Sequence, residues 1–494
     1  MKLRVAILYA LGAIFASGEV TCPAIFGSGM VLQRDLPVPV WGMAAPGEAV
    51  TVEFAGQTKS TAANADGKWR VELDKLSASA EARTFVVRGT NALTFTDVLV
   101  GEVWFCSGQS NMEKPLGPRS GQKPTDDYEA ELTRADCPTL RLFQVPQHNR
   151  PKANDGSLAW TACSGDALMK TKFSAAAYYF GRELQRELGV PIGLIHSSFG
   201  GTRIEAWMPP EAFAGDPLLR DLPGQTYQAW VKGVQATELH ESMVTPFVPF
   251  ALRGFLWYQG EANCMNAEGD IHAHKMRALI AAWRMAWELP KAPFYFAQLA
   301  PFAYSKQKNW EKQLTPLALP ALWEAQIAAL EVPHTGIVPT SDLAGAGKDI
   351  HPTNKRDVGL RFARLALADA YRRKDTIAQA PRLRSAKWIG QSTLLVEFDE
   401  ANGLRTTDGN EPPGFSLAGE DRVFRPARAI IHHDRVEVSN HEIAHPVAVR
   451  FAWDELAMPN LVNAAGLPAL PFRTDNWPMV LEVPKEPKPA ETAK

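Results

Sequence analysis

Three textures of hydrophobic and polar positions follow one another along this chain. From about residue 20 to 97 apolar and polar residues alternate, as in Val50-Thr51-Val52-Glu53-Phe54, Trp69-Arg70-Val71-Glu72-Leu73 and Phe85-Val86-Val87-Arg88. A period of two buries one face of a strand and leaves the other wet; Pro46-Gly47 and Asn64-Ala65-Asp66-Gly67 supply turns, so a small β-domain is predicted over 19–97. The same texture returns after about residue 384 in Thr393-Leu394-Leu395-Val396-Glu397-Phe398, Arg435-Val436-Glu437-Val438 and Val447–Trp453. That segment, 384–481, is predicted to be a second β-domain, either a sandwich of its own or a layer packed on the first.

Between about 98 and 373 the period switches back and forth. Val98, Val100, Val103 and Phe105 predict a strand with alternate residues buried, and Ile192–Ile195, Gly254–Tyr258, Phe294–Gln298 and Thr335–Val338 predict four more. Helical spacing appears after them. Ser174 caps a helix carrying Phe180, Leu184 and Leu188 inward and ending at Gly189. Met276, Leu279, Trp283 and Trp287 form one stripe, a helix is predicted near 320–330, and Val358, Phe362, Leu365 and Asp369 mark a last one. Repeated strand-then-helix order implies an α/β fold with a parallel sheet covered on both faces, whose functional loops gather at the carboxyl edge.

With 494 residues, 46% of them hydrophobic and 21% charged, the chain can bury a large core and divide into two to four domains. Its formal net charge of −2 provides no electrostatic footprint for nucleic acid, and none is expected as a partner. At the amino terminus Lys2 and Arg4 precede an apolar stretch, Val5–Ala16, and the small residues Ala16, Ser17 and Gly18. These are the parts of a cleavable signal peptide over 1–18, too short to span a bilayer, and they predict a secreted or periplasmic protein with no membrane span. The proline- and charge-rich 482–494 is expected to be disordered. Five cysteines are an odd number; Cys137 with Cys163 is one possible bridge, and five small buried hydrophobes is the plainer alternative.

Four stretches place Ser, Gly, Gln or His directly after a predicted strand. Gly108 allows a sharp turn that lifts Ser110 off the end of the first strand, and Ser197-Ser198-Phe199-Gly200-Gly201-Thr202 follows the second. Gln259-Gly260-Glu261-Ala262-Asn263 follows Tyr258, and Asp349-Ile350-His351-Pro352 lies between the strand near Val338 and the last helix. Acyl transfer needs that set: a hydroxyl nucleophile, an imidazole to take its proton, and N–H donors for the oxygen that becomes negative.

In these blocks the chain resembles the sialate O-acetylesterases of the SGNH (GDSL-like) hydrolase superfamily. The resemblance is carried by Gly-Glu-Val-Trp-Phe-Cys-Ser-Gly-Gln-Ser-Asn-Met (101–112), Gly-Gly-Thr-Arg-Ile-Glu-Ala-Trp (200–207), Trp-Tyr-Gln-Gly-Glu (257–261) and Asp-Ile-His-Pro-Thr-Asn-Lys (349–355). It extends to Met-Val-Leu-Gln-Arg (30–34) and to 466–475. It implies an SGNH-hydrolase-like catalytic α/β domain over 98–373, flanked by the two β-domains. It also implies a serine esterase that removes O-acetyl groups from sugars through an acetyl-serine. Ser110 would be the nucleophile and His351 the general base, then acid. The Ser110 N–H, the Gly201 N–H and the Gln259 side chain would form the oxyanion hole, each donor worth about 3–4 kcal/mol.

Two positions depart from the family pattern. The acid usually stands three residues before the histidine, where this chain has Lys348. Asp349 is the choice for the third triad member, Asp342 the rival, and a dyad with a backbone carbonyl orienting His351 the remaining reading. Phe199 stands where members often carry Trp, which bears on pocket shape. Arg203, Glu205 and Glu261 are candidate substrate contacts, and an acetylated sialic acid predicts an open pocket near Arg203 for the sugar carboxylate. Equally, Arg203, Glu205 and Trp207 could be a salt bridge and a core aromatic, and Glu261 could simply hold its loop. His272 with His274, and His432 with His433, point to different faces of their elements and have no companion ligands, so no metal or cofactor is expected. Rival functions are an acetylesterase of plant polysaccharide, such as xylan or xyloglucan, and an inactive carbohydrate-binding protein. An imidazole base predicts activity that rises with pH around the ~6.5 reference value.

Overall fold

The computed structural model describes residues 18–147, 158–225, 231, 233–308, 310–345, 347–389 and 392–484. The expected leader, apart from Gly18, and the tail from residue 485 lie outside them. Glu482 and Val483, at the start of the stretch expected to be disordered, are held instead. The Val483 N–H donates to the Gln313 carbonyl (2.7 Å), and Glu482 pairs with Lys312 (3.2 Å).

The first region comprises β1 (Val31–Gln33), β2 (Val38–Met43), β3 (Ala49–Phe54), β4 (Gln57–Ala62), β5 (Lys68–Leu73), β6 (Ser79–Arg88) and β7 (Ala92–Gly108). β3 pairs antiparallel with β4 and β6, β6 pairs antiparallel with β7, β1 runs parallel to β7, and β2 and β5 form a separate ribbon. β7 is unbroken for 17 residues, so one strand crosses the boundary that texture suggests at 97/98. Its environment does change there: residues 92–97 are exposed or half-exposed, whereas every residue from Val98 to Gly108 is buried.

That burial comes from the central sheet. With β8 (Cys137–Gln144), β9 (Trp160–Cys163), β10 (Ile192–Ser198), β11 (Gly254–Tyr258), β12 (Phe294–Ala297) and β13 (Thr335–Val338), its order is β13-β12-β11-β7-β10-β8-β9. All pairings are parallel except β8 with β9. Alternate side chains sort to two cores rather than to a core and water. Phe105, Ile195, Phe255, Trp257, Phe294 and Phe296 enter one, and Trp104, Cys106, Leu194, Leu256, Tyr258 and Tyr295 enter the other. Strands buried on both faces carry continuous apolar runs, which is why the expected one-sided burial of 98–105 becomes complete burial.

On the first face lies the helix Gly269–Ala286, with Met276, Leu279, Ile280 and Trp283 inward; the Trp283 ring meets Phe105 at 5.5 Å and Phe255 at 5.6 Å. The first β region shares this core through Phe26, Val38, Val52 and Phe85. On the second face lie the helices Ala175–Leu188 and Lys355–Ala368. Ser174 caps the former by accepting from the Ala177 N–H (3.1 Å), and Gly189 closes it in the left-handed conformation. Beyond residue 381 two four-stranded antiparallel sheets enclose a third core around Val396, Phe398, Leu417, Val436 and Phe451. The second β region is therefore a sandwich with its own interior, whereas the first merges with the α/β core. All five cysteines are free thiols, with Cys137 and Cys163 facing each other across β8 and β9.

Candidate active site

β7 ends beside β11 in a turn that only glycine can make. Gly108 has φ of +141°, and a Cβ there would lie 2.2 Å from the Tyr258 carbonyl oxygen. The Gln109 N–H donates to that same carbonyl (3.0 Å), and the Phe199 N–H donates to the Gly108 carbonyl (3.1 Å). The turn is thus stitched to the strands on either side, and Ser110 begins the short helix Ser110–Glu113 directly after it.

At this edge Ser110 Oγ lies 2.9 Å from His351 Nε2, across 241 residues of sequence. Asp349 Oδ1 accepts the His351 backbone N–H (2.8 Å) and stands 3.9 Å from Nδ1, an electrostatic contact rather than a hydrogen bond. Asp342 is turned elsewhere, gripped by both terminal nitrogens of Arg361 (2.7 and 2.5 Å). Burial pushes the His351 imidazole down to about 4, assisted by Lys355, Lys114 and Arg119; the Asp349 carboxylate acts in the opposite direction. The ring is therefore neutral at pH 7 and able to accept a proton. Its charge change falls well below the value expected of an ordinary imidazole.

Gly201, at φ +76°, follows Gly200, whose N–H donates to Glu113 Oε2 (2.8 Å). A Cβ on Gly200 would lie 3.1 Å from Ser110 Cβ, so this turn abuts the serine. Among the described residues, neither the Ser110 nor the Gly201 N–H has an acceptor. Gln259 is different. Its Nε2 donates to the Thr202 carbonyl (3.2 Å) and to Asn263 Oδ1 (2.8 Å), which uses both protons. The sense of the amide is fixed: Asn263 Oδ1 also accepts from the Ile204 N–H (3.1 Å), and its Nδ2 faces two carboxylates. Both protons of the expected oxyanion donor Gln259 thus point to the Gly201-Thr202 turn and to Asn263.

Arg203 and Glu205, read as substrate contacts or as a salt bridge, face other charged side chains. The Arg203 Nη2 lies 2.5 Å from both Glu205 and Glu268, while Lys275 Nζ lies 2.6 Å from Glu205 and 2.7 Å from Glu268. Asn263 donates to both carboxylates (3.0 and 2.8 Å), and all five side chains are buried. Two cations and two anions so paired form an interior network, not the wall of an open pocket. Trp207 is fully buried, and its indole N–H donates to Thr202 Oγ1 (3.1 Å). Glu261 is buried too and accepts from Gln109 and from Asn111 (2.5 Å); burial pushes its carboxyl up to about 7. Its partners are thus the side-chain amides of Gln109 and Asn111.

Sequence reasoning gave no role to Asn111 and Lys355, although both lie inside the quoted blocks. Asn111 directly follows Ser110 and Lys355 stands four residues after His351; each proves to be buried, and they are hydrogen-bonded to each other (2.7 Å).

Comparison with known proteins identifies the family. A family model described as carbohydrate esterase, sialic acid-specific acetylesterase, matches residues 100–368. Sialate O-acetylesterase of Homo sapiens is 28% identical over 404 residues, 74% of each chain, and that of Mus musculus is 26% identical over 488 residues, 86% of this chain and 87% of the relative. A crystal structure of a novel carbohydrate acetylesterase from Xanthomonas citri is 36% identical with a TM-score of 0.81, covering 93% of this chain and 100% of that one. Fold, site and relatives define a carboxylic ester hydrolase that removes O-acetyl groups. The chain belongs to the carbohydrate esterase family of sialic acid-specific acetylesterases. Among the described residues no helix is long and apolar enough to cross a membrane.

Proposed function

We propose that Ser110 attacks the carbonyl carbon of a sugar O-acetyl group while His351 Nε2 takes its proton. The observation that carries this is the 2.9 Å contact between a side chain that follows the central strand β7 and one from the loop after the edge strand β13. The carbonyl oxygen becomes an oxyanion facing the Ser110 and Gly201 N–H groups, each of which contributes about 3–4 kcal/mol to the transition state. Collapse breaks the ester C–O bond, and the His351 imidazolium gives its proton to the departing sugar oxygen. Water then attacks the acetyl-Ser110 with His351 again as base, releasing acetate. A depressed histidine makes a weaker base but a stronger acid for an alkoxide leaving group. Asp349, 3.9 Å from Nδ1, favours the imidazolium by charge.

Acetylated sialic acid is the substrate that the family description and the relatives' names support. A neutral acetylated polysaccharide such as xylan is the second reading, favoured by the withdrawal of Arg203 into ion pairs with Glu205 and Glu268. Residues 1–18 would act as a leader that carries the enzyme out of the cytoplasm, as Lys2, Arg4 and the apolar Val5–Ala16 suggest. Acetate release from acetylated sialic acid, from acetylated xylan and from a chromogenic acetyl ester tests the whole reading. Ser110→Ala and His351→Ala should each lower turnover by on the order of 10⁴-fold or more. Activity surviving both substitutions would remove the assignment, and a preference for xylan would replace the sugar.

A further inference from the structure

We propose that Asn111 is a positioning residue for His351, its side-chain amide tying the histidine loop to the turn that presents the serine. Asn111 Nδ2 donates to the carbonyl of Ile350 (2.9 Å), the residue directly before His351. It also donates to Glu261 Oε1, while Asn111 Oδ1 accepts from Lys355 Nζ (2.7 Å). One amide, 1% exposed, therefore fastens three chain segments: the turn after β7, the turn after β11, and the loop that enters the last helix. This inference rests on Ser110 and His351 being the reacting pair.

The sense of the amide is set by the backbone. The Ile350 carbonyl can only accept, so it demands the NH₂ and leaves the oxygen to Lys355. A flipped amide would set its oxygen against that carbonyl. Gln109, which also donates to Glu261, holds that carboxylate from its far side.

The histidine ring has little else to orient it. Asp349 binds the His351 backbone N–H rather than the ring, whose Nδ1 it approaches only to 3.9 Å. The reach of Nε2 to Ser110 consequently depends on where the backbone at 350–351 is held, and Asn111 holds it from within one residue of the nucleophile. A displacement of about 1 Å in such a pair is enough to lower turnover by ~10²-fold.

The test uses Asn111→Asp and Asn111→Ala, with Ser110→Ala alongside. Asp keeps the bond to Lys355 but cannot donate and sets a negative charge against Glu261; Ala removes all three bonds without adding charge. In both, kcat for a chromogenic acetyl ester should fall by about 100-fold while KM stays within about threefold. The acid limb of the pH profile should move up from near 4 towards ~6.5 as the freed ring meets water. Groups other than Asn111 that act on that ring are Asp349 from its own loop, Lys355 from the last helix, and Lys114 and Arg119 from the segment after β7. Wild-type turnover in both variants, or an unmoved acid limb, would overturn the proposal. So would loss of folding in both, since the amide would then hold the core rather than the histidine. Activity remaining in Ser110→Ala would instead sink the reacting pair itself.

Discussion

Two clusters of buried polar side chains lie under the carboxyl edge of the sheet, and they differ in what they leave free. Around Glu205 and Glu268 both carboxylates are met from both sides: Arg203, Lys275 and Asn263 bond to each. Around Ser110 the hydroxyl meets one imidazole nitrogen, and the neighbouring N–H groups of Ser110 and Gly201 have no acceptor among the described residues. In the first, every carboxylate oxygen is already met. The second is complete only when an oxygen is supplied, and that distinction, not residue type, separates bracing groups from reacting ones.

The strongest way to break this comparison is to remove one charge from the complete cluster. Glu268→Ala leaves Arg203 and Lys275 with a single carboxylate between them and should reduce stability by about 3–5 kcal/mol in urea unfolding. Turnover per folded molecule should change far less than in His351→Ala. A variant as stable as the parent, or one folded but inactive, would erase the boundary drawn between the two clusters.

Gln259 sits on that boundary, so its substitution sharpens it. As a direct oxyanion donor, Gln259→Leu would lose 10²–10³-fold in kcat. As a brace of the Gly201-Thr202 turn it should lose about tenfold, with a lowered melting temperature as well. A full 10³-fold loss in a protein of unchanged stability would restore the donor role.

The smallest effect expected is a flat one. With His351 held near 4, turnover should vary little between pH 8 and 5 and fall only towards pH 4. Stability responds earlier and independently. Burial lowers His196 and His272 to about 3 and His240 to about 4, so the unfolded chain takes up protons from ~6.5 downward while the native state does not. Stability from these groups is present above that value and declines on acidification. Initial rates and melting temperatures across pH 4 to 8 separate the two curves, and a rate midpoint near 6.5 would contradict the buried histidine.

Much of this architecture was legible in the pattern of residues. Period-two and helical spacing located five of the seven strands of the central sheet, missing Cys137–Gln144 and Trp160–Cys163, together with the helices over them, and the strand-then-loop order brought Ser110, Gly201, Gln259 and His351 to one edge. What was not legible depended on partners that no local pattern names. Arg203 and Glu205 read equally well as sugar contacts because Glu268 and Lys275 come from a helical stretch noted only for its apolar stripe. Asp342 could be set aside only once Arg361, on the last helix, was seen to hold it. That the Gln259 NH₂ points to the Thr202 carbonyl and to Asn263 was equally hidden, since which acceptors meet a side-chain amide follows from its neighbours in space. The histidine shift was hidden for a similar reason, since burial is a property of the assembled loops.

Because β7 runs without a break from the first β region to the serine, the amino-terminal strands are no detachable accessory. They are the root of a beam whose tip carries the nucleophile. Excising or exchanging them would strip the partners from one half of the strand against which β10 and β11 are aligned. Any truncated version of this enzyme must begin upstream of β1 to keep that alignment.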